Sequence, residues 1–285
     1  MNNHYFGGKS ADGHFHQIIN FITPHITYVE PFGGKLGIFR QKREAKRTFV
    51  IERNHDLIPF YKQHGFTVYD GSIPFQGDYD NDTECFYRHI MKNSLGRFCL
   101  IGDALRVLED MREEFDSYGV FLYVDPPYPL DSRRDSRPNY KFEMSDHEHD
   151  LLLETLYSFD KAHIAISTYE NEIYNDWLAG KGIEWNMEEI SAQTRHGRVT
   201  EQLWMNYPAP AELHDYRYLG ADFREREDII RKQKRWAANF AELSILEQKA
   251  MLEILTSRLA ISAESGQGKK RKKAKDVSLI QILSQ

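Results

Sequence analysis

Val120-Phe121-Leu122-Tyr123-Val124-Asp125-Pro126-Pro127-Tyr128 is a run of five apolar, β-favouring residues that stops at an acid and two prolines. An unbroken apolar run of this length suits a strand covered on both faces, the situation inside a parallel sheet. The prolines end it, because each fixes φ and removes a backbone donor. The carbonyls around them therefore project rigidly, free of a competing local hydrogen bond. An acid at the carboxyl end of such a strand lies where open α/β sheets bind their ligands.

The flanking sequence repeats the pattern. Upstream, Phe98-Cys99-Leu100-Ile101 reads as a strand closing on Asp103, followed by an amphipathic helix to about residue 115. Thr48-Phe49-Val50-Ile51 closes on Glu52, a helix follows over 56–63, and Phe66-Thr67-Val68-Tyr69 is a further possible strand. Tyr28-Val29 runs into Glu30-Pro31-Phe32-Gly33-Gly34, behind a helix predicted over 16–26 from the spacing of Ile18, Ile19, Ile22 and Ile26. Downstream, a helix over 146–158 starts at Ser145 or Asp146. It is followed by the strand His163-Ile164-Ala165-Ile166-Ser167, a helix over 172–178 and a closing strand pair over 184–190 and 201–207. This alternation predicts an α/β fold, a mostly parallel sheet with helices on both faces. Pro208 and Pro210 punctuate its end, giving a catalytic domain over 1–210, a helical appendage over 211–265 and a basic tail over 266–285.

Hydrophobic residues make up 41% and aromatics 13% of the 285, enough for a continuous core. No stretch approaches the roughly 18 apolar residues of a membrane span, and the first residues lack the features of a signal peptide. The two cysteines, Cys85 and Cys99, suggest neither a disulfide framework nor a zinc site, so the expectation is a cytoplasmic protein. Net charge is −6, which argues against a polyanionic partner until its distribution is considered. Residues 269–275 hold six basic groups and no acid, 40–47 hold five against one Glu, and Arg133, Arg134 and Arg137 form a third cluster.

Four strands end in informative residues: Glu30 with its glycine pair, Glu52, Asp103 and Asp125. Gly33 and Gly34 let a backbone approach a ligand closely, although tight turns need glycine anyway. Glu52 is placed to accept hydrogen bonds from ribose hydroxyls. An exocyclic amine conjugated to a purine is a poor nucleophile, because its lone pair is delocalised. Two acceptors, the Asp125 carboxylate and the Pro126 carbonyl, would hold its two N–H bonds and favour the pyramidal geometry that frees that pair. Tyr128 would stack on the base. His14, His16, His147 and His149 are read as packing or surface residues, with no metal site expected. Trp177, Trp185, Trp204 and Trp236 are read as packing residues.

Taken in order, these motifs resemble the Dam-like DNA adenine N6-methyltransferases, over most of residues 4–210. Tyr5-Phe6-Gly7-Gly8-Lys9 resembles the N-terminal cofactor motif, and Tyr28-Val29-Glu30-Pro31-Phe32-Gly33-Gly34 the first glycine-containing one. The stretch from Glu52 to Ile58 is similar to the second, Asp103 stands in the place of the third, and Asp125-Pro126-Pro127-Tyr128 resembles the catalytic motif. The resemblance implies a Rossmann-like sheet of seven strands with one reversed, and S-adenosylmethionine as cofactor. Tyr5, Lys9, Glu30, Phe32, Gly33, Gly34, Glu52, Asp103 and Asp125 would contact it. It also implies a reduced target-recognition insert at about 66–97 and DNA as partner, with the target adenine flipped from the duplex. Arg40, Lys42, Arg43, Arg133, Arg134 and Arg137 would hold phosphates. The alternatives are a methyltransferase acting on RNA adenine or on the N4 amine of cytosine, or a catalytically silent DNA-binding protein of the same fold. The motif's acid favours adenine over cytosine, whose enzymes more often carry Ser there.

Overall fold

The computed structural model describes residues 14–70, 95–133, 140–179, 185–194 and 197–266. Its strands are β1 (Thr27–Glu30), β2 (Arg47–Glu52), β3 (Thr67–Asp70), β4 (Gly96–Ile101), β5 (Val120–Val124), β6 (His163–Thr168), β7 (Asn186–Thr194) and β8 (Gly197–Met205). They form one sheet in the order β3-β4-β2-β1-β5-β6-β8-β7. Every residue of β1 and β5 is buried, as expected of strands with neighbours on both edges, and in β5 this matches the unbroken apolar run. β5 lies between β1 and β6, parallel to both.

The chain reverses once within the sheet. β8 runs antiparallel to β6 and to β7, through a hairpin longer at both strands than the sequence indicates. The seven strands from β4 to β7 in sheet order, with one reversed, are thus the Rossmann-like architecture that the resemblance implied. The count is corrected to eight among the described residues, because Thr67–Asp70 adds to the edge of β4, parallel to it.

The helices are α1 (His14–Ile19), α2 (Ile58–Gln63), α3 (Ala104–Asp110), α4 (Arg112–Phe115), α5 (Asp146–Tyr157) and α6 (Glu172–Leu178). α1 is shorter than predicted over 16–26. Thr23 precedes Pro24, whose ring pushes the preceding residue out of the helical region, so the buried Ile22 packs from a turn. Ser145 starts α5 with a full capping box: it accepts from Glu148 N–H, and Glu148 accepts from the Ser145 N–H. That anchors Leu152, Leu153 and Leu156 against Leu122, Val124, Ile164 and Ile166 of the sheet, in one core with Val107, Leu108 and Phe115.

The chain divides into two compact units, Met1–Arg217 and Tyr218–Gln285. Residues 211–217, read from sequence with the appendage, belong to the first. The fully buried Asp215 accepts the Arg43 backbone N–H at 2.8 Å, and His214 N–H reaches the Ile22 carbonyl at 2.9 Å. The second unit holds α7 (Phe223–Ala241), capped by Asp222, and α8 (Ile245–Gly266). Trp236 on α7 is 69% exposed, so it is not the packing residue predicted. No helix among the described residues is long and apolar enough to cross a membrane. The predicted insert lies mostly, and the basic tail almost wholly, outside the described residues.

Candidate active site

A cavity of about 510 Å³ opens at the carboxyl ends of β1, β2, β4 and β5. Glu30, Phe32, Gly33, Gly34, Glu52, Asp103 and Asp125, all picked from sequence, line it together. Tyr140 to Met144 line it as well, of which Phe142 and Met144 were given no role from sequence.

The turn after β1 leaves no room for a side chain at Gly33. A Cβ there would run into the Val50 Cγ1 methyl and lie 2.5 Å from the Tyr61 hydroxyl oxygen. Gly34 takes φ 47°, and the buried Leu36 is held at φ 58°, a left-handed conformation uncommon outside glycine. Neighbouring groups hold this turn. Gly34 N–H donates to Glu52 Oε2 at 2.8 Å, Asn54 N–H to Glu52 Oε1 at 2.7 Å, and the Tyr61 hydroxyl to the Gly34 carbonyl at 2.9 Å. Burial raises the Glu52 pKa, and those backbone donors oppose the rise. Each carboxylate oxygen has a second lone pair beyond its backbone bond, so the same group can fix the turn and accept from a ligand.

Asp103 caps α3, accepting from Leu105 N–H at 2.9 Å and Arg106 N–H at 3.3 Å through Oδ1. Its Oδ2 lies 3.5 Å from Arg53, itself on the cavity wall. Glu30 is buried and accepts from the Tyr28 hydroxyl at 2.9 Å. Burial first, with the Asp125 charge adding to it, raises the Glu30 pKa to about 8 against the opposing pull of Tyr28 and Lys42.

Asp125 is half-buried at the end of β5 and faces this cavity. Pro126 is buried, and Pro127 is the proline on the wall. Tyr128 is also buried and is not a wall residue; its ring meets Tyr169 edge-on at 4.7 Å. Its hydroxyl lies 3.1 Å from Asp125 Oδ1, 2.9 Å from Glu201 Oε2 and 3.2 Å from Ser167 Oγ. Glu201 and Ser167 open two downstream stretches, 201–207 and 167–174, that continue the family resemblance, but neither was assigned a role at the site from sequence. The available signal was an acid and a hydroxyl on inner strands, where neither gains from burial without a partner.

Two residues assigned to phosphate binding are corrected. The Arg133 side chain is only 5% exposed, and it grips both Glu143 carboxylate oxygens, at 3.0 and 2.6 Å. Its Nε also donates to the Tyr128 carbonyl at 2.8 Å, so it ties the turn after β5 to the cavity wall. Lys42 is buried, with Nζ 3.0 Å from the Arg43 carbonyl, 3.3 Å from His25 Nε2 and 4.0 Å above the Tyr28 ring. Burial lowers its pKa to about 7. Arg40 and Arg43 are exposed. Tyr5, Lys9, Arg134 and Arg137 lie outside the described residues. Among the described residues no group of three or more His, Cys, Asp or Glu could hold a metal. His149 is a core residue bonded to the Tyr174 hydroxyl at 3.0 Å, and His14 lies 3.1 Å from Glu201.

No protein-family model matches the sequence, and no curated protein matches it. Similar solved structures include a precorrin 8W decarboxylase from Methanobacterium thermoautotrophicum, with a TM-score of 0.38 and 14% identity over 67% of this chain and 87% of that one. An rRNA methylase from Streptococcus thermophilus gives 0.39 and 8% identity over 67% and 93%. A SAM dependent methyltransferase from Agrobacterium tumefaciens gives 0.36 and 11% identity over 67% and 58%. At this level the likeness carries no argument about chemistry, which rests on the site.

Proposed function

We propose that this chain is an S-adenosylmethionine-dependent methyltransferase that methylates the N6 amine of a flipped adenine in DNA. One observation carries the reading: Asp125 opens into the same cavity as the Gly33–Gly34 turn and Glu52. A nucleoside-bearing cofactor fits what lines this space. The Gly33–Gly34 turn is part of the cavity wall, Glu52 offers paired oxygens to a ribose, Asp103 and Leu105 would flank an adenine end, and Phe32 offers an apolar face. When bound, S-adenosylmethionine supplies an electrophilic sulfonium methyl.

The chain's own residues do the positioning, which is most of what such a transfer needs. Asp125 accepts one amine N–H, and the Pro126 carbonyl, next along the rigid turn, is the acceptor for the other. Tyr128 acts from behind, holding Asp125 rather than stacking on the base as the sequence suggested. Phe142, which lines the cavity, replaces it as the aromatic surface for a base. Arg40 and Arg43 remain as exposed cations for the phosphate backbone, which gives salt-sensitive affinity.

Expression in a methylation-deficient host, followed by genome-wide mapping of N6-methyladenine, tests this directly. A methylated sequence word, lost with Asp125→Ala, is the expected result. If methyl groups appear on RNA or on cytosine N4 instead, the substrate is wrong. If the purified chain does not bind S-adenosylmethionine, the enzyme reading fails.

A further inference from the structure

Tyr128 has one hydroxyl proton, and two carboxylates reach for it. Asp125 Oδ1 lies 3.1 Å and Glu201 Oε2 2.9 Å from the phenol oxygen. Ser167 Oγ sits 3.2 Å from that oxygen and 3.1 Å from Glu201 Oε2, and His14 Nε2 lies 3.1 Å from the same Glu201 atom. Tyr128, Ser167, Glu201 and His14 are all buried, which keeps bulk water off the chain. With both carboxylates ionised, the phenol proton can fill only one of its two short contacts with them. The other is left as a close approach of two oxygens with no proton between. One added proton, carried by either carboxylate, would bridge that contact. The path through the phenol begins at the cavity-facing Asp125 and ends at Glu201.

We infer that Glu201, acting through the Tyr128 hydroxyl, takes up the proton that the substrate amine sheds during methyl transfer. This rests on the methyltransferase reading above and goes beyond it. An amine that gains a methyl carries a positive charge until it loses one N–H. That proton passes to Asp125 Oδ1. The Tyr128 O–H proton then passes to Glu201 Oε2 while the phenol oxygen takes the proton from Asp125. The net result is a neutral methylated amine, ionised Asp125, intact phenol and protonated Glu201. Charge and protons balance with no further reactant. Burial, then the charges of Asp125 and Glu201, hold the Tyr128 pKa well above its ordinary value, so it relays as a neutral hydroxyl and not as a phenolate. Among the described residues, the groups facing Tyr128 are Tyr123 of β5 and Asp125 just beyond it, Ser167 of β6 and Tyr169 just beyond it, and Glu201 of β8; His14 of α1 faces Glu201, and Glu30 of β1 faces Asp125. Glu201 touches neither substrate nor cofactor, so its role is positioning and proton holding.

The test uses the full-length chain with Glu201→Gln, which keeps the shape and cannot take the proton, and Tyr128→Phe, which keeps the ring and breaks the relay. Single-turnover methyl transfer should fall about 100-fold in each, the scale of one lost proton-transfer group. The double variant should fall no further, because both changes cut one chain. Affinity for S-adenosylmethionine should stay unchanged, and the pH profile should shift in Glu201→Gln. An infrared titration of the protein alone should show a protonated-carboxyl band that Glu201→Gln lacks. Wild-type rate and pH profile in Glu201→Gln, or additive losses in the double variant, would overturn the inference. So would a carboxyl titration identical in wild type and Glu201→Gln, a result that can be read even if the wild-type chain transfers no methyl group. A wild-type chain inactive on every nucleic acid overturns the parent reading instead.

Discussion

Glu52 at the end of β2 accepts the backbone N–H of Gly34, beyond the end of β1, at 2.8 Å. One carboxylate thus locks the loops of two adjacent parallel strands at the mouth of the cavity, with its other oxygen on Asn54 N–H at 2.7 Å. Both oxygens face donors, so Glu52→Gln turns an amide NH2 towards one of them. A buried donor left unsatisfied costs about 1–3 kcal/mol. Chemical denaturation should show that loss, and calorimetry should show S-adenosylmethionine affinity falling with it. Unchanged stability together with lost affinity would mean that Glu52 serves the ligand alone.

Gly33→Ala places its methyl against Val50 and Tyr61, both buried in the first unit. Overpacking of this kind costs about 1–3 kcal/mol. It also disturbs the Tyr61 hydroxyl that holds the Gly34 carbonyl, so cofactor affinity should drop along with the unfolding midpoint. A Gly33→Ala protein with the wild-type midpoint and affinity would show that the turn is not closed.

Arg133→Ala strands the Glu143 carboxylate, which is 19% exposed, beside the turn after β5. Glu143 keeps the Tyr140 N–H bond at 2.8 Å, so losing the guanidinium from this part-buried pair costs about 1–3 kcal/mol, and the variant should be destabilised at any salt concentration. Arg40→Ala and Arg43→Ala should instead leave stability within about 0.5 kcal/mol. Each should lower DNA affinity and make the salt slope shallower by about 0.9 for every phosphate that the protein no longer neutralises. Fluorescence anisotropy over a salt series separates the two behaviours. Arg133→Ala with native stability and weakened binding would restore it as a phosphate ligand.

The strands were legible because β1, β2, β4 and β5 each carry an apolar, β-favouring stretch that leads to an acid. Contacts across the sheet were not legible. Lys42 and Arg133 sit in basic runs that read as phosphate-binding surface, and only the fold shows Lys42 over Tyr28 and Arg133 on Glu143. Glu201 was legible as the start of a strand but not as a partner of the site, because Tyr128 and His14 lie 73 and 187 positions away (201 − 128 and 201 − 14), and no local pattern encodes such a meeting. β3 was ambiguous because four residues with mixed burial carry little periodicity.

Glu30 and Lys42 predict an unusual pH dependence of stability. Glu30 has its pKa raised from 4.5 to about 8 in the folded chain, chiefly by burial. Between those values the native state holds a proton that the unfolded chain has shed. Its contribution is complete below 4.5 and is lost as pH rises through about 8. Lys42 moves the other way, from 10.5 to about 7, again chiefly by burial. There the unfolded chain holds the extra proton, so stability rises with pH from about 7 to 10.5 and is lost as pH falls through 7. The two slopes oppose each other between 7 and 8, which puts a minimum in their joint contribution there. Each limb can reach about 1.4 kcal/mol per pH unit for one proton. Urea denaturation from pH 5 to 10 should therefore show the rising limb in wild type and its loss in Lys42→Met. Glu30→Gln should lose the falling limb. The two charges also support each other, Lys42 lowering the Glu30 pKa and Glu30 raising that of Lys42. Lys42→Met should thus push the remaining falling limb to higher pH. Curves for Lys42→Met that superimpose on wild type over the whole range would mean that this lysine keeps its charge in the folded chain.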